Sequence, residues 1–218
     1  MDILFKLYIV ILNICFGCSL ISFKLHFPLH MRLFALLLGL TVVTEFMAQM
    51  WLHYFHFKTN YAVYDIYMLL EYGVYSFFFR MIIQRWWMRQ VIFGFMVVLP
   101  IFWIITTFFV FGFSRNWNSY MVLFGDAFSI AMAVGYFYEV IVSDQLIDIK
   151  HTPEFWISVG ILIFSCCEIP VTGILNFLES QYTPLVLWLL TALQILNILM
   201  YGIFIYAYLC PEEINMKN

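Results

Sequence analysis

The chain has 218 residues, 65% of them hydrophobic, 21% aromatic and 11% charged, with a mean hydropathy of +0.94 and a formal net charge of −3. Soluble domains carry about 25% charged residues, so this composition excludes a soluble catalytic domain, and the small negative charge offers no basic patch for nucleic acid. A membrane crossing takes ~20 apolar residues at ~1.5 Å of rise each, so the chain holds seven spans, short loops and little else.

In chain order the spans read as Ile3 to Ser22, Leu33 to Tyr54, Tyr61 to Phe79, Gln90 to Phe111, Ser119 to Val142, Phe155 to Phe177, and Pro184 to Leu209. The expected fold class is therefore all-α: a polytopic membrane helical bundle of about seven transmembrane helices, forming one transmembrane domain over residues 1–218. The first segment runs as a full-length span without a small-residue cleavage site, so it reads as a retained helix and not a signal peptide. Cys15, Cys18, Cys166 and Cys167 fall inside spans and Cys210 at the end of the last one, so no disulfide is expected. In an apolar helix, Cys15-x-x-Cys18 reads as a pair of small packing groups.

Charge sets orientation. Lys24, Arg32, Arg80, Arg85, Arg89, Lys150 and Lys217 fall on one side, against Lys6, Lys58 and Arg115 on the other. Lysine and arginine concentrate on the cytoplasmic side, which places the N-terminus outside and the C-terminus in the cytoplasm. Trp86 and Trp87 beside Arg85, and Trp117 beside Arg115, are the expected interface anchors. His26-Phe27-Pro28 precedes the second span and His151-Thr152-Pro153 the sixth, and these two spans carry Glu45 and Glu168 at similar depth. That correspondence suggests parallel repeat halves, 1–80 and 119–209, joined by helix 90–111, with a site between the halves.

The acids carry the functional signal. Glu45, Asp65, Glu71, Asp126, Glu139 and Glu168 lie within spans, where an ionised carboxylate costs about 2.5–3.5 kcal/mol at the bilayer centre. Counted at ~1.5 Å per residue, Glu45, Glu71, Asp126 and Glu168 sit ~10 to 15 Å below the outer ends of four helices, with no Lys or Arg at that level. Carboxyls meeting in low dielectric repel, so a proton or bound cation must balance them. The bland alternative is a set of neutral carboxyls hydrogen-bonded between helices as packing glue. Tyr64, Tyr67, Glu71 and Tyr75 fall within roughly ±60° of one face of the third helix, which suggests a phenol-lined interior around Glu71. Pro170, two residues after Glu168, leaves the Cys166 carbonyl without its helical partner and predicts a kink. Asp65 and Glu139 lie nearer helix ends, where water reaches them, and are second candidates. His53 and His56, three apart near Asp65, have the ligand types for a metal, although that spacing is a weak signal.

Several chemistries lack their residues. A retinal protein needs a lysine in its last span, and Pro184 to Leu209 contains none; no cofactor is identified. There is no G-x-S-x-G, H-E-x-x-H or nucleotide-binding loop, so nothing points to an enzyme. A signal would leave through short loops or another polypeptide.

The stretches Tyr67-Met68-Leu69-Leu70-Glu71-Tyr72, Gly125-Asp126-Ala127-Phe128, Thr152-Pro153-Glu154-Phe155-Trp156 and Leu196-Asn197-Ile198-Leu199-Met200-Tyr201 resemble an uncharacterised family of small seven-helix membrane proteins from Bacteroidota, along most of the chain. The resemblance implies a multi-pass protein of the bacterial inner membrane, surrounded by the lipid bilayer and working beside a sensor kinase or other signalling protein. It supplies no activity. The expected function is receptor-like or sensory, with a cation, proton or small ligand held in an outward-facing acidic and aromatic cavity; the alternative is a small secondary transporter, proton-coupled, with three-plus-one-plus-three helices.

Overall fold

The computed structural model describes residues 2–24, 27–53, 59–113, 117–142, 151–178 and 184–209, and none of these is in a strand. Helix α1 (Asp2–Ser19) continues after Leu20 as a single turn (Ile21–Lys24). It is followed by α2 (Leu29–His53), α3 (Tyr61–Ile82), α4 (Trp86–Ile104), which widens into a π-helix (Ile105–Phe111), α5 (Ser119–Val142), α6 (Pro153–Leu178) and α7 (Pro184–Leu209).

Six helices, all except α3, are long and apolar enough to cross a membrane. The reason α3 differs is chemical: its 22 residues give it the length, but they include five tyrosines, Asp65, Glu71 and Arg80. Its polar residues are turned into the protein. Asp65, Tyr72, Tyr75 and Ser76 are buried.

The spans at Ser119 and Pro184 start and end where the sequence places them, whereas three other helices begin two to four residues earlier. Proline cannot donate a backbone hydrogen bond and tolerates only the first helical turn. Accordingly α2 starts directly after Pro28, whose carbonyl accepts from the Met31 and Arg32 amides at 3.1 and 3.3 Å, and α6 starts at Pro153 itself. Helix α4 begins at Trp86, four residues before the expected Gln90, because Glu139 of α5 accepts from the Gln84 and Arg85 amides at 2.8 Å each. A carboxylate there satisfies amides that a helix start leaves unpaired. At its other end α3 runs past Phe79 to Ile82.

Helices α1, α2, α3, α5, α6 and α7 pack in that order around a closed ring, with α7 returning to α1; α4 leans on α3 and, less extensively, on α5. At the end where α2 begins, Phe34 is fully buried and meets the rings of Tyr75, Phe78 and Phe204 at 5.9, 5.4 and 5.1 Å between centroids. Tyr208 of α7 donates to the Met31 carbonyl at 3.0 Å. Beside this layer, His30 Nε2 and Glu154 Oε1 lie 2.8 Å apart, linking α2 to α6 across the ring. Aromatic packing and a histidine–carboxyl hydrogen bond thus close this end of the bundle.

Candidate functional site

The carboxyls meet a belt of tyrosines contributed by several helices. Glu45 of α2 is buried and accepts from Tyr8 of α1 at 2.8 Å on Oε1 and from Tyr64 of α3 at 3.1 Å on Oε2. Glu71 of α3 accepts on Oε1 from Tyr75 at 2.9 Å and from Tyr67 at 3.2 Å, one turn to either side. The Tyr67 hydroxyl also lies 2.8 Å from Thr41 Oγ1 of α2. The expected phenol stripe is therefore divided: Tyr67 and Tyr75 serve Glu71, whereas Tyr64 serves Glu45. Tyr201 of α7 lies against Tyr8 with ring centroids 6.0 Å apart and interacts electrostatically with both Glu45 and Glu71.

Asp126 of α5 is almost completely buried. Its Oδ1 accepts from Ser165 of α6 at 2.9 Å and from Tyr72 of α3 at 3.3 Å. Its Oδ2 is buried with no hydroxyl or N–H donor. Glu168 of α6 is an electrostatic neighbour of Asp126. Glu71 interacts electrostatically with both members of this pair. The structure thus brings Glu71, Asp126 and Glu168 into one cluster, with Glu45 in an adjoining compartment joined to it through Tyr201 and the Thr41–Tyr67 contact.

Glu71 and Glu168 keep accessible surface, unlike Asp126. A groove of about 620 Å³ opens between α1 and α2, lined in part by Phe5, Lys6, Asn13, Glu45 and Gln49. Lys6 lines the same groove as Glu45, and the two form no ion pair. Among the described residues the one contact between a basic and an acidic side chain is His30–Glu154.

The second candidates separate. Asp65 is not at a watered helix end: it is 1% exposed, its Oδ1 has no partner, and its backbone carbonyl accepts from Trp103 Nε1 at 2.8 Å. Helix α4 covers it, and the expectation of ready hydration was wrong for that reason. Glu139 holds the start of α4, with Arg85 stacked 4.8 Å from the Tyr138 ring centroid; its role is structural. The His53 side chain and the whole of His56 lie outside the described residues, and no group of three or more His, Cys, Asp or Glu among the described residues is arranged to hold a metal. The described cysteines are free thiols.

Sequence reasoning missed Tyr8, Tyr72, Ser165, Tyr201 and Gly125. Gly125 was visible beside Asp126, but its reason is spatial: a side chain there would overlap the Tyr72 ring. No family model, curated protein or solved structure matches the chain, so any function has to be argued from the site itself.

Proposed function

We propose that this chain is a receptor-like bundle of seven membrane-spanning helices, N-terminus outside and C-terminus cytoplasmic, that binds a proton, small cation or small ligand at its carboxyl–tyrosine cluster. Counting α3 as the seventh span rests on its length and on the inward burial of its polar side chains. The observation that carries the binding reading is the gathering of Asp126, Glu168 and Glu71 from three helices: three acids that act on one another electrostatically, Oδ2 of Asp126 buried without a partner, and among the described residues no lysine or arginine paired with any of them. Such an arrangement needs a proton or cation to exist in low dielectric. Tyrosine hydroxyls supply donors that need no charge of their own. A sensory role in a bacterial inner membrane would take its output through a sensor kinase or other signalling protein.

The test replaces Glu45, Glu71, Asp126 and Glu168 one at a time with Gln or Asn and measures folding yield and proton uptake of the purified protein in a pH jump. At least one of the cluster variants should fold with reduced uptake. Wild-type uptake in all four removes the reading.

A secondary transporter is the second reading, and the ring order favours it. Exchanging α1–α3 with α5–α7 leaves the neighbour relationships of the ring unchanged, and the His30–Glu154 pair joins α2 to α6, the two helices that such a repeat would equate. Proton-driven uptake by proteoliposomes containing only this protein would select transport; co-purification with a signalling partner and no uptake would select sensing.

A further inference from the structure

Independently of the binding reading and going beyond it, we propose that the chain forms a parallel dimer in the membrane through the lipid-facing side of α1, with Asn13 of one copy hydrogen-bonded to Asn13 of the other. The starting observation is where Asn13 stands. The α1 span runs from Ile3 to Phe23, so Asn13 is its central residue, and it is exposed on the periphery of the bundle. Among the described residues its side chain makes one hydrogen bond, from Nδ2 to the Ile9 carbonyl one turn back, at 2.7 Å. The carboxamide oxygen and the second N–H of Asn13 therefore face hydrocarbon at mid-depth, where no water or headgroup reaches them and an unsatisfied polar group is costly.

The residues around Asn13 form a seam. Lys6, Val10, Asn13, Gly17 and Leu20 follow one another at spacings of four, three, four and three, and all are exposed. That period keeps one stripe of a helix turned toward a neighbour in a left-handed crossing. At Gly17, one turn beyond Asn13, no protein atom lies within 4 Å of where a Cβ would stand. The fold of a single copy leaves that position open, and a neighbouring backbone can approach closely there. Lys6, Val10 and Asn13 also line the groove between α1 and α2, with Phe46 and Gln49 on its far wall. The groove, of about 620 Å³, gives room to the side chains of an incoming helix.

A second copy fits this seam better than a lipid or an unrelated helix. A lipid holds its polar groups at the bilayer surface and only methylenes at the depth of Asn13, so it leaves the carboxamide unpaired. An unrelated helix would need a polar side chain at that one level. A second copy has it by symmetry: all copies insert with the same orientation, and a two-fold axis along the membrane normal sets Asn13 against Asn13. A carboxamide carries both the donor and the acceptor that such a self-contact requires. The same symmetry sets Lys6 beside Lys6, but near the end of the span, where a lysine extends to the headgroups and keeps its charge in a polar layer. Ile3, Leu7 and Ile14, on the adjoining side of α1, are exposed as well but wholly apolar, and lipid suffices to cover them.

The experiment uses the full-length protein, labelled with donor or acceptor dye through a C-terminal tag and reconstituted into liposomes at several lipid-to-protein ratios. Energy transfer should follow a monomer–dimer equilibrium and fall on dilution with unlabelled protein or with excess lipid. Asn13→Leu should weaken dimerisation about tenfold, the equivalent of ~1.4 kcal/mol. Asn13→Gln, which keeps a carboxamide, should retain more of it, and Gly17→Leu should weaken it by obstructing close approach. Phe109→Leu, at a position 80% exposed on the π-helix, should leave it unchanged. All these positions face lipid, so the unfolding midpoints of the variants in detergent should stay near wild type. Transfer no greater than random proximity gives at every ratio overturns the proposal, whatever else is found beside α1. Association that both Asn13→Leu and Gly17→Leu leave untouched overturns it too, because the interface would then lie on another face. Neither result bears on proton uptake by the acids, so the binding reading stands or falls separately.

Discussion

The Tyr72 ring occupies the space that a side chain at position 125 would need, and from there its hydroxyl reaches Asp126 Oδ1 and the Val122 carbonyl, each at 3.3 Å. A glycine on α5 is thus what lets α3 approach closely enough to deliver a donor to a buried acid. Small residues serve this purpose where membrane helices cross.

Gly125→Ala should therefore destabilise the protein, by about 1–3 kcal/mol as expected of overpacking in a tight interface, and should disturb Asp126. Gly94→Ala is the control, because a Cβ there meets nothing within 4 Å; it should be neutral or stabilising by roughly 0.5–1 kcal/mol. Unfolding midpoints in detergent check both. Equal effects at the two positions would mean that the Tyr72 contact is not what glycine serves.

The Glu45 compartment makes a different prediction. Tyr8→Phe and Tyr64→Phe each remove one donor from a buried carboxylate, at a cost of about 1.5–3 kcal/mol for a bond to a charged group. A double-mutant cycle between Tyr8→Phe and Glu45→Gln should give a coupling of about 1 kcal/mol or more. Additive effects would show that the hydroxyl and carboxyl do not act together.

Much of this could be read in the residues, for stated reasons. The membrane assignment followed from composition, and the depth argument put Asp126 and Glu168 at one level on helices that the structure packs side by side. Depth says nothing about azimuth, however. Tyr8 and Tyr201 face the acids only because α1 and α7 close the ring, and Tyr72, beside Glu71 in sequence, points to a different helix. Asp65 was misjudged because its distance from a helix end could be counted while the covering helix α4 could not. The early helix starts at Leu29 and Pro153 follow from proline at the first turn, a local rule that the apolar pattern alone overlooks.

Glu139 should matter locally. Glu139→Ala removes acceptors from the Gln84 and Arg85 amides and should speed hydrogen exchange at the start of α4, with a stability loss of about 1–3 kcal/mol. Proton uptake by the cluster should be unchanged. Reduced uptake would assign Glu139 to the site after all.

The His30–Glu154 pair should hold the bundle closed at its end. A cysteine replacing Ala35, which is 0% exposed, should react slowly with a water-soluble maleimide. Adding His30→Ala should raise that rate about fivefold, if ~1 kcal/mol of closing energy is lost. An unchanged rate would mean that the aromatic layer alone seals this end.

The most direct measurement is the infrared carboxyl spectrum of the purified protein in sodium-free choline buffer. The account expects a band from a protonated carboxyl at neutral pH, lost in both Asp126→Asn and Glu168→Gln because each amide removes a charge that the proton balances. A wild-type spectrum without that band, or a band unaltered in both variants, would contradict it.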